Sequence, residues 1–396
     1  MIIKKMDEMF MREMSIYIHI PFCIKKCNYC DFLSGKASED EKEQYINAVC
    51  KEIDLIEETW YIRSIFFGGG TPSVVSPSLI NKILCKLKEK FIFLDCIEIS
   101  IEVNPGTVDF GKLKEYLCIG INRLSIGMQS TNDEELKILG RIHTYQDFLT
   151  TFQAAREAGF RNINIDIMSS LPGQTLTSYQ KTLERVISLA PEHISSYSLI
   201  IEEGTPFYQQ KHSLNLPSED TEIEIDERTE YYLTEHGYEK YEISNYAKEG
   251  YQCRHNKIYW TRGEYYGFGI GAASLLEDQE KGNRRVANTD NIKQYLLELQ
   301  KKNPELDNIQ KITQLSKEDR MEEFMFLGLR LIKGIESREF ERSFGVSLID
   351  VYGNKLCKLE NEKLIKKEDV FGNSIYSLTR RGMQVSNVVL SEFLLP

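Results

Sequence analysis

From residue 15 to about 200, short β-branched or aromatic runs alternate with longer amphipathic segments. The runs SIYIHI (15–20), SIFF (64–67), IEISIEV (97–103), RLSIGM (123–128), NINIDIM (162–168) and ISSYSLI (194–200) predict strands. Helices are predicted at about 39–58, 77–90, 109–118, 132–140, 145–158 and 176–189, several with local punctuation. Ser38 with Glu41 makes a capping box, Ser76-Pro77 an N-cap with proline in the first turn, and Gly159 a helix stop. Six strands alternating with helices predict an α/β fold with a parallel sheet, because parallel neighbours need a crossover and a helix is the usual one. The carboxyl end of each strand is then the place to look for chemistry.

After about 205 the rhythm loosens. Residues 218–236 predict a helix with a solvated face, and YEKYEIS (238–244) a further strand. YQCRHNKIYWTRGEYYGFGIGAAS (251–274) is dense in aromatics and glycine. From about 311, two or three helices precede a hairpin and a last helix, a winged-helix outline. That region holds 14 Lys or Arg against 13 Asp or Glu, too even for a nucleic-acid footprint, and reads as a packing or partner-docking module.

The 396 residues carry 60 acidic and 49 basic side chains, a net charge of −11, which argues against binding polyphosphate or anionic lipid. At 41% hydrophobic residues the chain is an ordinary folding composition for two or three domains. MIIKKMDEMFMREMSIYIHI has no uninterrupted apolar core and does not read as a secretory signal, and no window approaches a membrane span. The expectation is a cytoplasmic protein, in which nine cysteines do not form a disulfide frame. Cys50, Cys85, Cys96, Cys118, Cys253 and Cys357 are scattered and expected to pack as small buried hydrophobes, whereas Cys23, Cys27 and Cys30 fall within eight residues.

Cys23-Ile-Lys-Lys-Cys27-Asn-Tyr-Cys30 lies directly after the first strand. Three thiolates on one short loop suit zinc or an iron–sulfur cluster. A structural zinc site would want a fourth ligand, and Asp31 and Phe32 come next. With a [4Fe–4S] cluster, three irons are held and one is left open. Three thiols adjoining by chance are disfavoured on so polar a loop. Gly68-Gly69-Gly70-Thr71-Pro72 follows the second strand and lets backbone approach a ligand, although tight turns use such loops too. Glu102, Gln129 and Asp166 lie at or just beyond three successive strand ends. Each alone reads about equally as a helix cap; three around one mouth favour a polar ligand.

The cysteine spacing, with Tyr29 before the last thiol, resembles the cluster loop of the radical S-adenosylmethionine (SAM) superfamily. HIPFCIKKCNYCDF (19–32) resembles the coproporphyrinogen dehydrogenase group, especially its heme chaperone branch. FFGGGTPS, IEVNPGT, RLSIGMQS, LGRIHT, DIMSSLPGQT, HNKIYW and the winged-helix tail extend that likeness in order over nearly the whole chain. The resemblance implies a partial (β/α)6 TIM-like barrel over 1–245, a connecting segment over 246–310 carrying HNxxYW, and a small winged-helix-like domain over 311–396. It implies a [4Fe–4S] cluster on Cys23, Cys27 and Cys30, and SAM against Tyr17, Tyr29, Gly69, Gly70, Thr71, Glu102, Gln129, Arg141 and Asp166.

In HNxxYW, a lone His is more often a hydrogen-bonded structural residue, and Tyr-Trp more often core. A neutral imidazole is also the commonest heme ligand, and the resemblance assigns that role to His255, with Cys253 as alternative and His19 orienting the cluster loop. The implied function is to bind heme and pass it to an apoprotein. The competing reading is an oxygen-independent coproporphyrinogen III dehydrogenase. Against it stand Phe32 where that group carries a fourth cysteine, a short arm before the cluster, and HNxxYW itself. The radical machinery looks intact, so SAM cleavage remains an expectation of the family. No nucleic acid is expected as a partner; a weak contact with membrane-protein clients and a homodimer are expectations without residues assigned to them.

Overall fold

A computed structural model describes residues 12–278 and 282–395. The first eleven residues, most of the stretch tested as a secretory signal, lie outside them. The barrel half runs β1 (Glu13–Ile20), α1 (Glu39–Asp54), β2 (Tyr61–Gly69), α2 (Pro77–Lys90), β3 (Ile92–Val103), α3 (Phe110–Ile119), β4 (Arg123–Gln129), α4 (Asp133–Ile138), α5 (Tyr145–Ala158), β5 (Ile163–Ser169), α6 (Leu176–Ser188) and β6 (His193–Ser198). These strands lie side by side in chain order, all parallel, as the alternation requires. The expected caps form: Ser38 and Glu41 bond reciprocally, Ser76 caps α2, and Gly159 ends α5 at φ 113°. Helix α1 stops at Asp54, four residues short of the expected end.

In the inner parts of β3, β4 and β5 apolar and polar positions alternate. Ile99, Ile101 and Val103 of β3, Leu124, Ile126 and Met128 of β4, and Ile163, Ile165 and Ile167 of β5 join the main apolar core. The intervening side chains are polar and face the barrel lumen, where Glu102, Ser125, Gln129, Asn164 and Asp166 line a cavity. A closed (β/α)8 barrel fills its interior with branched apolar residues. This six-stranded lumen is instead polar and open.

The segment 246–310, expected as a connection, extends the sheet. After α7 (Pro206–Gln209), α8 (Glu219–Glu235), β7 (Glu239–Lys240), β8 (Asn245–Ala247) and α9 (Arg254–Trp260) come β9 (Tyr265–Phe268), β10 (Ala273–Asp278), β11 (Gly282–Asn288), α10 (Ile292–Leu299) and β12 (Gln310–Gln314). β9 pairs in parallel with β1, and β10 to β12 continue that edge antiparallel, while β8 and β7 add to β6 at the other, giving twelve strands. Of the strand expected over 238–244 only β7 at Glu239–Lys240 forms, and β8 begins beyond it at Asn245. Between them Glu242 is buried and accepts from Ser244 N (2.9 Å), which turns the chain.

The carboxyl-terminal unit has its own core around Phe340, Tyr352, Leu356, Tyr376 and Phe393. It comprises α11 (Lys317–Gly328), β13 (Ile335–Glu336), α12 (Ser337–Phe344), α13 (Leu348–Asn361), the hairpin β14 (Ile365–Val370) and β15 (Asn373–Leu378), then α14 (Arg380–Gln384) and α15 (Ser386–Ser391), the predicted winged-helix outline. Glu323 of α11 ties it to the sheet, accepting from Arg262 Nε (2.9 Å) and Arg285 Nε (2.8 Å). No helix among the described residues is long and apolar enough to cross a membrane.

Candidate functional site

The cysteine loop leaves β1 and folds back on itself: Cys23 N–H donates to Gly35 O (2.8 Å) and Gly35 N–H to Pro21 O (2.9 Å). Its outer turn is fastened elsewhere. Asn28 donates from its backbone to Leu139 O (2.9 Å) and from its amide to Ile138 O (2.9 Å), and accepts from Phe207 N–H (3.0 Å). Cys23, Cys27 and Cys30 are all half-buried on the cavity wall. Cys23 Sγ lies 3.3 Å from Thr71 Oγ1, and Arg141 Nη1 donates to Cys27 Sγ at 3.7 Å. Burial pushes the Cys30 thiol up to about 11, against a backbone bond from Phe32.

The glycine loop laces onto the end of β1 through Gly70 N–H to Ile20 O (2.9 Å) and Thr71 N–H to Phe22 O (2.7 Å). Gly69, at φ 114°, donates to Glu102 Oε2 (3.1 Å). A Cβ on Gly70 would sit 2.8 Å from Phe22 O and 3.1 Å from Cys23 Sγ, so only glycine lets the loop pass this close to the cysteines. Asn104 bridges the two halves of the mouth: its amide donates to Thr71 Oγ1 (2.8 Å) and its oxygen accepts from Arg141 Nη2 (2.8 Å), which also donates to Gly127 O (2.8 Å).

Burial, with the charge of Asp166 adding, pushes the Glu102 carboxyl up to about 8. Asp166 is raised by burial and held by Asn164 Nδ2 (2.8 Å) and Ser125 Oγ (3.2 Å). Gln129 adopts φ 68° where the β4–β5 register shifts, a left-handed conformation costly for a side-chain-bearing residue. Tyr17 OH shares a hydrogen bond with His19 Nδ1 (3.1 Å), and His19 Nε2 one with Leu33 O (2.9 Å), tying the strand to the loop.

Helix α9 supplies a further wall. Buried Glu98 on β3 caps its amino end, accepting from Arg254 N–H (3.1 Å) and His255 N–H (3.2 Å). His255 and Tyr259, one turn apart, face inward with Asn256. His255 is 1% exposed, stacks on Phe66, and has both ring nitrogens engaged: Nδ1 with Ser64 Oγ (2.9 Å) and Nε2 with Tyr259 OH (2.9 Å). Burial, helped by the charge of Arg123, pushes its imidazole down to about 3. Cys253 does not reach the cavity; its thiol lies 3.6 Å from Glu98 Oε1, and burial raises it to about 12. Trp260 points away, under Arg330 at 4.4 Å. Four scattered cysteines expected to be buried, Cys85, Cys96, Cys118 and Cys357, are exposed; Cys50 and Cys253 are buried.

All thirteen candidate residues, Tyr17 through His255, line one cavity of about 420 Å³. Sequence reasoning missed Asn104, Arg123, Ser125, Asn164, Ser195 and Asn256, which line it too. The signal was present in RLS and NINID, where polar residues at period two mark the lumen face.

Residues 17–186 match the Radical SAM superfamily and residues 315–385 the HemN C-terminal domain, which makes the chain a radical SAM protein with a HemN-type tail. Its fold is shared with coproporphyrinogen III oxidase (HemN) from Escherichia coli, at a TM-score of 0.81 and 24% identity over 97% of this chain and 90% of that one. Heme chaperone HemW of Bacillus subtilis is 36% identical over 96% of this chain and 99% of its own length, and that of Haemophilus influenzae 36% over 96% and 98%. Radical S-adenosyl methionine domain-containing protein 1, mitochondrial, of Danio rerio is 32% identical over 97% and 86%. The chain belongs to the heme chaperone HemW family.

Proposed function

We propose that the protein binds heme and delivers it to an apoprotein, carrying a [4Fe–4S] cluster on Cys23, Cys27 and Cys30 with SAM beside it. The observation that carries this reading is the convergence of three thiols, a glycine loop, strand-end polar groups and a buried imidazole on one cavity. The donor set fits a cluster better than a lone ion. Three thiols line that wall, and soft thiolates are the donors that iron–sulfur clusters take. When bound and reduced by an external one-electron donor, such a cluster would supply an electron for SAM cleavage.

Gly69 and Gly70 bring backbone polar groups within reach of SAM, while Glu102, Gln129, Asp166, Tyr17 and Tyr29 hold its polar edges. Arg141 places positive charge beside Cys27. His255 offers the imidazole for heme, and coordination there requires one of its two hydrogen bonds to open. Phe32, 62% exposed at the mouth in place of a fourth cysteine, favours a chaperone over a dehydrogenase. The winged-helix-like unit docks the acceptor protein, and the setting is the cytoplasm. The test is anaerobic reconstitution with iron and sulfide, titration with hemin, then mixing with an apo heme protein. Hemin bound and passed on supports the reading; a reconstituted protein that binds no hemin overturns it.

A further inference from the structure

Arg123 opens β4 with its side chain turned into the lumen, where it is 2% exposed and lines the same cavity. No hydrogen bond or ion pair reaches its guanidinium among the described residues, and its Nε is sealed away without a partner. The carboxylates whose charge it shares, Glu98, Glu102 and Asp166, are engaged with other donors, Glu102 with Gly69 N–H. Glu98 accepts from the amino end of α9 and Asp166 from Asn164 and Ser125. A buried, unpaired guanidinium is expensive, and replacing it with an apolar side chain often costs nothing or stabilises. Its cost is offset when a ligand brings the missing anion, and a planar fork suits a carboxylate in particular.

Arg141 stands apart at the mouth, where it donates to Cys27, Asn104 and Gly127 O. We propose that Arg123 is the anchor for a ligand carboxylate at the floor of the cavity. The inference rests on the SAM and heme reading above, and two carboxylates answer to the chemistry: that of SAM and the propionate of a porphyrin.

The reconstituted wild-type protein and its Arg123→Met and Arg123→Lys variants are titrated separately with SAM, hemin and hemin dimethyl ester, alongside thermal unfolding of the ligand-free protein. We expect Arg123→Met to unfold no lower than wild type and to lose about tenfold or more in affinity for one acid. Lysine should restore part of that loss. A loss confined to SAM assigns its carboxylate to Arg123. A loss for hemin but not for its ester assigns the propionate. Undiminished affinity for both acids overturns the anchor, as does a lowered unfolding temperature with ligand affinities intact, which marks Arg123 as structural. If the Met variant fails to fold, the Lys variant decides: both affinities intact without the planar fork overturn the proposal. Wild-type protein that binds neither acid defeats the functional reading itself.

Discussion

Gly70 and Cys23 meet at the mouth of the barrel so closely that a Cβ on Gly70 would lie 3.1 Å from the Cys23 sulfur and 2.8 Å from Phe22 O. The backbone oxygen cannot rotate away, so the loop itself must shift. Gly70→Ala is expected to cost about 1–3 kcal/mol of stability and to lower the iron and sulfide retained after reconstitution. Unchanged stability with full cluster content would show the loop to be more tolerant than its geometry.

Cys27 and Cys253 separate the two kinds of cysteine in the chain. Cys27→Ser should abolish the [4Fe–4S] absorbance, since its thiol lines the cavity. Cys253→Ser should leave the cluster intact, since that thiol sits behind α9 against Glu98. A cluster signal that survives Cys27→Ser removes Cys27 as a ligand.

Cys23, Cys27 and Cys30 were legible as a group because their spacing is local, and β3 to β5 because apolar side chains recur there on alternate positions. Strand β9 was not. Its Gly267 looks like a turn residue, yet a Cβ there would lie 2.3 Å from Ala273 O, so the glycine answers to a neighbouring strand brought up by the fold. Arg123 was hidden for a related reason: next to Leu124 it reads as the polar edge of a strand, and only the lumen face gives it company. In HNxxYW the one-turn spacing of His255 and Tyr259 puts them on one helix face, while Trp260, the next residue, turns outward to Arg330.

Heme and the Tyr259 hydroxyl would compete for the His255 imidazole. If heme is held through Nε2, the Tyr259 hydroxyl bond at 2.9 Å must open first. His255→Ala should weaken or shift the heme spectrum and spare the cluster absorbance. Tyr259→Phe should bind heme at least as tightly as wild type, because the competing bond is gone. An unchanged heme spectrum in His255→Ala removes His255 from the heme site.

Two buried imidazoles pull stability down on the acid side. Burial lowers the imidazoles of His255 to about 3 and His143 to about 4, each with a nearby arginine adding to the effect. In the unfolded chain both titrate near the ordinary 6.5. Below that value the unfolded state binds protons that these two folded imidazoles refuse, so their contribution declines as pH falls from 6.5 to those values, while Glu52 and Glu102, raised by burial to about 7 and about 8, act with the opposite sign. The slope approaches about 1.4 kcal/mol per pH unit for each histidine. Urea midpoints of the cluster-free protein at about pH 7 and about pH 5 measure it, and His255→Gln should reduce the slope by up to one proton. Equal slopes in the two proteins would contradict the burial of a neutral His255.

A heme carrier and a porphyrinogen decarboxylase differ in what they do with coproporphyrinogen III. Anaerobically reconstituted protein, reduced and supplied with SAM and coproporphyrinogen III, is assayed for protoporphyrinogen IX, with hemin binding measured on the same preparation. The expected result is hemin bound and no protoporphyrinogen IX formed; robust formation of that product would make the protein a decarboxylase.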